Sequence, residues 1–575
     1  MNTDTQPRRV GRASWSTGGL AIGIVGITLI YFYLAVHFGH GSWRTDTWFH
    51  LMRIGDLNIA TRQHHLPDIV NITSFLGLGQ AFNAMYPPYF LYPLVALTRG
   101  LNGLLQWYAI QSLIVFIGLW LAVFGFRRAG GRVWSSLLFG TVTVLSQGFV
   151  AYTDSGSLGM MIGSAMLPGA LMATYNVVKK GQYRDILALA VPVAITLNSH
   201  LATAVLMVIV VVIIAITQSV AARTWSIFWR FCLAGGLALL LSLPAWLMPI
   251  VMAPSHLSSV RLIPLKGASL LGIVQQTLTL NKVSLMSWLG LIALVYVPWR
   301  AIKYHQFQEG RVYYVLGVIL FYLSTDLFPW SLMPTVLANV IQGVEWRLLA
   351  MAATLLVTAG FIQSLDTLAS GTQREHRLLL MLTLIGFVVP MADITLTLGQ
   401  RNRALPAWQP QDGYYHHADN VLTPASFQSP DFYRLRWYTD YLPETTPKAS
   451  FGAQVSVSAH QAVADGKIFR VPRAVDPNSH AITFTLPQAT SDWVDLPFWY
   501  YSSLHYQIPN VRQIKQSTRG SVMIKLDKPA NQVTVQRVSS PWYRPAVWVM
   551  LLAWLGVLGL WGAQRFRLDR REKTE

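Results

Sequence analysis

Apolar runs of about 20 residues recur along this chain, and each is long enough to cross the hydrocarbon core of a bilayer. That recurrence admits an all-α polytopic membrane protein and leaves little else. Charge agrees: 12% of the 575 residues are Asp, Glu, Lys or Arg and 53% are hydrophobic, where a soluble domain carries about 25% charged residues. The formal charge of +19 does not indicate a nucleic-acid partner, because the basic residues lie in short clusters between apolar runs and read as topology signals. The single cysteine, Cys232, lies in such a run, which excludes a disulfide framework and a cysteine metal site. The first run, 18–38, is too long for a cleavable signal and lacks a small-residue cleavage site.

Length and Lys/Arg bias predict about twelve spans. They are 18–38, 105–126, 133–151, 158–178, 185–199, 201–220, 226–252, 285–300, 311–326, 346–364, 377–398 and 545–563. The Pro-rich segment 86–97, "YPPYFLYPLVAL", is too short for a full span and reads as a re-entrant or interfacial helix. With that choice "RRVGR", "RRAGGR", "KKGQYR", "TQREHR" and "RFRLDRREK" all fall on the cytoplasmic side, as do both termini. The chain then divides into a transmembrane domain, 1–399, with a first outer loop at 39–103, an extracytoplasmic module at 400–542, and a last span with a basic tail at 543–575. The alternation in "AITFTL" (481–486), "SVMIKL" (521–526) and "QVTVQRV" (532–538) predicts strands, so the module is β-rich.

Ionisable residues gather on the expected outer face. In "TDTWFHLMRIGDL", Asp46, His50 and Arg53 share a helix face, and Trp43, Trp48 and Phe49 suit an interfacial helix. Asp154 in "YTDSGS", His200 in "LNSHLA", and Glu345 and Arg347 in "IQGVEWRLL" reach the same side, with Asp326 and Asp393 near other outer ends. Groups converging from distant segments are how a site built from loops on a scaffold looks. Each also has a plainer reading: Asp46 as a helix cap, His200 as a satisfied bundle histidine, Glu345 and Arg347 as snorkelling interfacial residues, Asp393 as an end-of-helix residue. "GLGQ" (77–80) lacks the lysine of a phosphate loop, and the glycosylation triplet at Asn71 is too weak to carry a role.

A long first outer loop with an early Asp resembles the GT-C glycosyltransferases. More closely, "DTWFHLMRIGDL", "GLGQAF", "MYPPYFLYPL", "YTDSGSLGMMIGSAMLPGAL", "NSHLA" and "IQGVEWRLL", in that order, resemble the bacterial YfhO-like multi-span family, whose relatives carry the label "6-pyruvoyl-tetrahydropterin synthase-related". "DYLP" (440–443) and "LPFWYYSS" (496–503) extend the resemblance into the module. Relatives often have Phe-Pro before the late Trp-Arg pair; here Val344 and Glu345 stand there.

The resemblance implies an inverting glycosyltransferase of the outer membrane face. It would move a sugar from a polyprenyl-phosphate donor to an envelope glycan or teichoic acid, with membrane lipids as its surroundings. Asp46 would act as general base, with His50 and Asp154 supporting it. Arg347, then Arg53 and His200, would bind the donor phosphate. Tyr86, Pro87, Pro88 and Glu345 would shape the site. No cofactor is assigned; Asp154 could hold the acceptor or support a divalent metal, Mg or Mn. Two other classes stay open: a transporter or flippase of lipid-linked sugars, which would want ionisable residues at mid-membrane and on both faces, and a non-catalytic envelope scaffold.

Overall fold

The computed structural model describes residues 12–38, 41–42, 46–258, 265–279, 284–304, 310–334, 336–365, scattered positions from 377 to 396, 421–422, 440–443, 451–476, 480–490 and 492–574. Among them, seven helices are long and apolar enough to cross a membrane: Thr17–Phe38, Gly103–Ala129, Val133–Ser155, Leu158–Lys179, Leu201–Ala221, Val344–Gln363 and Tyr543–Ala563. The chain is therefore a multi-pass membrane protein.

The expected twelve spans are not all present as such. The run at 226–252 is two helices, Trp225–Leu240 and Leu243–Ser255, bent by 70°. Pro244, at the start of the second helix, lacks the N–H that would continue the first. The expected span at 133–151 is present within Val133–Ser155, interrupted at Ser146, whose hydroxyl accepts from Phe149 N and caps the second part. Helix Tyr183–Leu197 has 15 residues, about 22 Å at 1.5 Å per residue, short of a full crossing. Trp288–Ile302 and Arg311–Leu323 are shorter apolar helices. Most of 377–398 lies outside the described residues. The Pro-rich segment gives Leu91–Thr98, 8 residues and about 12 Å, which does not cross.

Burial separates the centre of the bundle from its rim. Leu158–Lys179 is 94% buried over its most apolar window, against 22% for Thr17–Phe38 and Tyr543–Ala563. Small residues allow the close central packing. A Cβ on Gly118 would fall 2.7 Å from the Ala165 carbonyl oxygen, and one on Gly169 would fall 2.6 Å from Leu121 Cβ.

The loop after the first span, expected on the outer side, carries helix Thr47–Arg62. It does not lie on the interface as expected: Trp48 and Phe49 are buried in the main apolar core. Trp43 is outside the described residues. Strand β1 (Gly41–Ser42) pairs antiparallel with β2 (Val421–Leu422).

The C-terminal module has ten further strands: β3 (Gln461–Ala464), β4 (Lys467–Arg470), β5 (Arg473–Asp476), β6 (Ala481–Thr490), β7 (Trp493–Trp499), β8 (His505–Gln507), β9 (Val511–Gln516), β10 (Ser521–Leu526), β11 (Ala530–Val535) and β12 (Arg537–Ser539). All pairings are antiparallel, in orders β4-β3-β7-β10-β9, β11-β6-β5 and β12-β8. Asp465 and Gly466 form the two-residue turn of the β3–β4 hairpin, both at positive φ, 51° and 70°, which an Asp-Gly pair adopts readily. Alternate residues of the two larger sheets, among them Phe484, Phe498, Val522, Ile524 and Val535, share one apolar core. The aromatics of "LPFWYYSSLHY" mostly serve that core: Phe498, Trp499 and Tyr501 are fully buried.

The same core includes Leu76, Leu78 and Ala81 of the first outer loop. Trp499 N donates to the Leu78 carbonyl (2.8 Å), Ala81 N to Tyr501 Oη (3.1 Å), and Gln80 Nε2 to the Asp440 carbonyl (2.8 Å). A Cβ on Gly79 would meet the Phe498 ring at 2.2 Å. The "GLGQ" stretch is thus the seat of the module.

Candidate functional site

Helix Thr47–Arg62 begins at Asp46, and the Asp46 carboxylate leaves its own helix uncapped. It accepts instead from Ser157 Oγ at 2.6 Å, at the start of helix Leu158–Lys179. Gly156, at φ +70°, allows this approach, since a Cβ there would collide with Thr47. Burial raises the Asp46 carboxyl above its ordinary pKa, and the Ser157 hydrogen bond and the Arg347 charge pull it down.

One and two turns on, His50 and Arg53 occupy the same face, each 2% exposed. Arg53 Nη2 donates to the carbonyls of Tyr86 (2.9 Å) and Pro87 (3.1 Å), and the guanidinium lies 4.3 Å from the Tyr86 ring centroid. A Tyr-Pro-Pro segment cannot pair its carbonyls in a regular helix, and Arg53 supplies the missing donors. Its Nη1 is 3.4 Å from His50 Nδ1. Burial lowers the Arg53 pKa to about 10, so it stays a cation. Burial, then the Arg53 and His200 charges, holds His50 well below the usual imidazole range, so it is neutral at pH 7.

His200 opens helix Leu201–Ala221, and its Nδ1 accepts from Thr203 N at 3.3 Å. It is both a cap and a neighbour of Tyr86, with ring centroids 5.2 Å apart. Burial and then the charges of Arg347 and Arg53 keep it neutral as well, so it offers a phosphate at most one N–H and no charge. Tyr86 is held protonated, chiefly by burial.

Arg347 lies in the first turn of helix Val344–Gln363 and is 8% exposed. Its Nη2 donates to Gln342 Oε1 at 3.0 Å. Its Nε and Nη1 are buried and find no hydrogen-bond partner among the described residues. Arg347 and Tyr152 line a narrow seam of ≈ 20 Å³, walled mostly by apolar side chains such as Met160, Leu167, Leu206 and Met351, with Ser164 and Thr203 among them. The Tyr152 hydroxyl donates to the Trp346 carbonyl.

Asp46, His50, Arg53, Tyr86, His200 and Arg347 therefore meet, as does Pro87 through its carbonyl. Asp154 is buried near the end of helix Gln147–Ser155, three residues before Ser157. Pro88 is buried beside Pro87. Glu345 stands apart, half-buried: two positions from Arg347 on one helix, it does not face it. Asp326 accepts from Leu270 N at 3.2 Å and ties two outer segments together, and Asp393 is buried.

The sequence reading missed Ser157, Gln342 and Tyr441, whose ring packs against Phe82 with centroids 6.1 Å apart and whose hydroxyl feels the Arg53 and Arg347 charges. Ser157 had a signal, the Gly-Ser that follows Asp154; the other two had none. It also gave Asp56 no part. Asp56 accepts from Asn71 Nδ2 at 2.6 Å and from Thr73, and burial raises it to about 6. Among the described residues, one His/Asp group has metal-ligand spacing, His65, Asp68 and His480, and it shares no residue with the cluster around Asp46.

No family model matches the chain, and no curated protein matches it. Among solved structures, ArnT from Cupriavidus metallidurans bound to undecaprenyl phosphate is similar at 12% identity and a TM-score of 0.39, over 74% of this chain and 90% of that chain. At that score the likeness carries no argument about what this chain folds into or does.

Proposed function

We propose that the protein is an inverting glycosyltransferase that moves a sugar from a polyprenyl-phosphate donor to a hydroxyl of an envelope polymer, on the outer face of the membrane. The observation that carries this reading is Arg347. Two of its nitrogens, Nε and Nη1, are buried without a hydrogen-bond partner among the described residues, in the wall of a seam between helices, and the Ser157-held Asp46 carboxylate feels its charge. A guanidinium so arranged is suited to a phosphate. The apolar seam between helices suits the isoprenoid of the same ligand, which enters as the seam parts.

In the proposed reaction Asp46 takes the acceptor hydroxyl proton. The acceptor oxygen forms its bond to the anomeric carbon as the bond from that carbon to the phosphate oxygen breaks. The electron pair leaves with the lipid phosphate, whose added charge Arg347 stabilises. Ser157 holds the Asp46 carboxylate in line. His50, neutral, orients Asp46; Asp154 receives the acceptor; Arg53 fixes Tyr86, Pro87 and Pro88 as the floor and lends its positive field; His200 donates one hydrogen bond; Glu345 guards the rim. Arg347 supplies the positive charge that a divalent metal would supply elsewhere.

The test is transfer from a labelled polyprenyl-phosphate sugar by the purified protein in liposomes. Wild type should transfer and a folded Asp46→Asn variant should not. Equal rates would sink the base assignment. Movement of donor across the bilayer without transfer would support a flippase instead.

A further inference from the structure

Three metal-ligating side chains meet where the first outer loop touches the β-rich module. His65 and Asp68 follow helix Thr47–Arg62; His480 precedes β6, 412 residues after Asp68. One ligand atom from each lies within 4.8 Å of the other two. The His65 and His480 rings meet edge to face with centroids 3.5 Å apart, and His480 Nδ1 contacts Asp68 Oδ2.

The surroundings prepare these groups for ligation. His65 Nδ1 lies 2.7 Å from the Leu66 carbonyl oxygen. A carbonyl partner puts the proton on Nδ1 and leaves the Nε2 lone pair for a metal, the backing that ligating histidines usually have. Nε2 lies 3.1 Å from Gln63 Oε1; ligation would displace that oxygen and leave Nε2 unprotonated, with Nδ1–H kept on the Leu66 carbonyl. His480 Nε2 is buried and has no hydrogen-bond partner among the described residues. The loop between the ligands is pinned: the Pro67 carbonyl accepts from Tyr543 Oη at 2.5 Å, and the Asp68 carbonyl from Asn83 Nδ2 at 2.9 Å. A cleft of ≈ 520 Å³ lined by all three residues, and by Arg537 and Tyr543, gives an ion its path.

We propose that His65, Asp68 and His480 bind one divalent transition-metal ion of the zinc class, which staples the module to the first outer loop. Two imidazoles and one carboxylate suit zinc, with water in the fourth position; calcium and magnesium prefer oxygen ligands throughout. The staple fastens the far end of the helix that carries Asp46, His50 and Arg53.

Full-length protein in detergent, with any affinity tag removed, is stripped with chelator, dialysed against zinc and desalted, and bound zinc is counted by mass spectrometry. Wild type should hold one zinc per chain and melt at a higher temperature than the stripped protein. His65→Ala and His480→Ala should each lose the ion while eluting as the same species. Wild type holding no more zinc than the double variant would overturn the site. A second measurement needs no variant: zinc should slow amide exchange in peptides containing residues 63–73 and 480–490 of the stripped wild type. Unchanged exchange there would also overturn it.

Discussion

Two charged clusters stand at opposite ends of helix Leu158–Lys179, about 33 Å apart for 22 residues, and they are built differently. At one end Arg128 is fully engaged. Its Nε donates to Asp185 Oδ1 (3.0 Å), and its Nη2 to Asp185 Oδ2 (3.2 Å) and Gln182 Oε1 (2.8 Å). Asp185 also accepts from Gln182 N (3.1 Å), closing a capping box. At the other end Arg347 has one partner, Gln342, and two buried nitrogens, Nε and Nη1, with no hydrogen-bond partner among the described residues. A buried donor left unsatisfied costs about 1–3 kcal/mol. The first arrangement is what stability alone selects. The second leaves donors without partners, which the proposed reading assigns to the donor phosphate.

Substitutions at each end break the comparison in different ways. The largest effect is expected at Asp46. Asp46→Asn keeps shape and the Ser157 contact but cannot take a proton, and transfer should fall about 10²–10⁴-fold, the usual worth of a general base, with the melting temperature kept. Arg347→Ala should lower transfer about 10²–10³-fold, and Arg347→Lys should recover only part, because an ammonium replaces a planar fork. Asp185→Ala should do the opposite: it removes the charged partner of Arg128, costs about 1–3 kcal/mol in stability, and leaves the transfer rate of the folded fraction unchanged. A thermal melt beside a rate assay separates the two.

The smallest effect concerns pH. The folded pKa of Asp56, about 6, exceeds its ordinary 3.8. Its contribution to stability is therefore fully present below about pH 4 and is lost as pH rises through 6. The loss is at most about 3 kcal/mol, from 1.36 kcal/mol per unit. The melting temperature of wild type should fall relative to Asp56→Asn over that window, and parallel curves would contradict the shift.

Much of this architecture is legible in the residues. The spacing of Asp46, His50 and Arg53 predicts one shared helix face, and the short Pro-rich segment predicts a helix that does not cross. The alternation at 481–486, 521–526 and 532–538 predicts strands, and strands form there. Span counting fails where a single residue decides: Pro244 divides a run, 226–252, whose hydropathy is continuous. Aromatics such as Trp48 and Phe49 are common at interfaces, and only tertiary packing shows that these two are buried in the main apolar core. The seat of the module is illegible because it depends on Gly79 meeting Phe498, and the His65, Asp68 and His480 group because its members lie more than 400 residues apart.

The contrast between the two arginines is tested most directly by lipid retention. Native mass spectrometry of the purified protein with added polyprenyl phosphate should detect the bound lipid on wild type and on Asp185→Ala. Arg347→Ala should bind it about 10- to 100-fold more weakly, as expected for lost charge-assisted hydrogen bonds. Retention by Arg347→Ala equal to that of wild type would contradict the assignment of its unpartnered Nε and Nη1 to the donor phosphate.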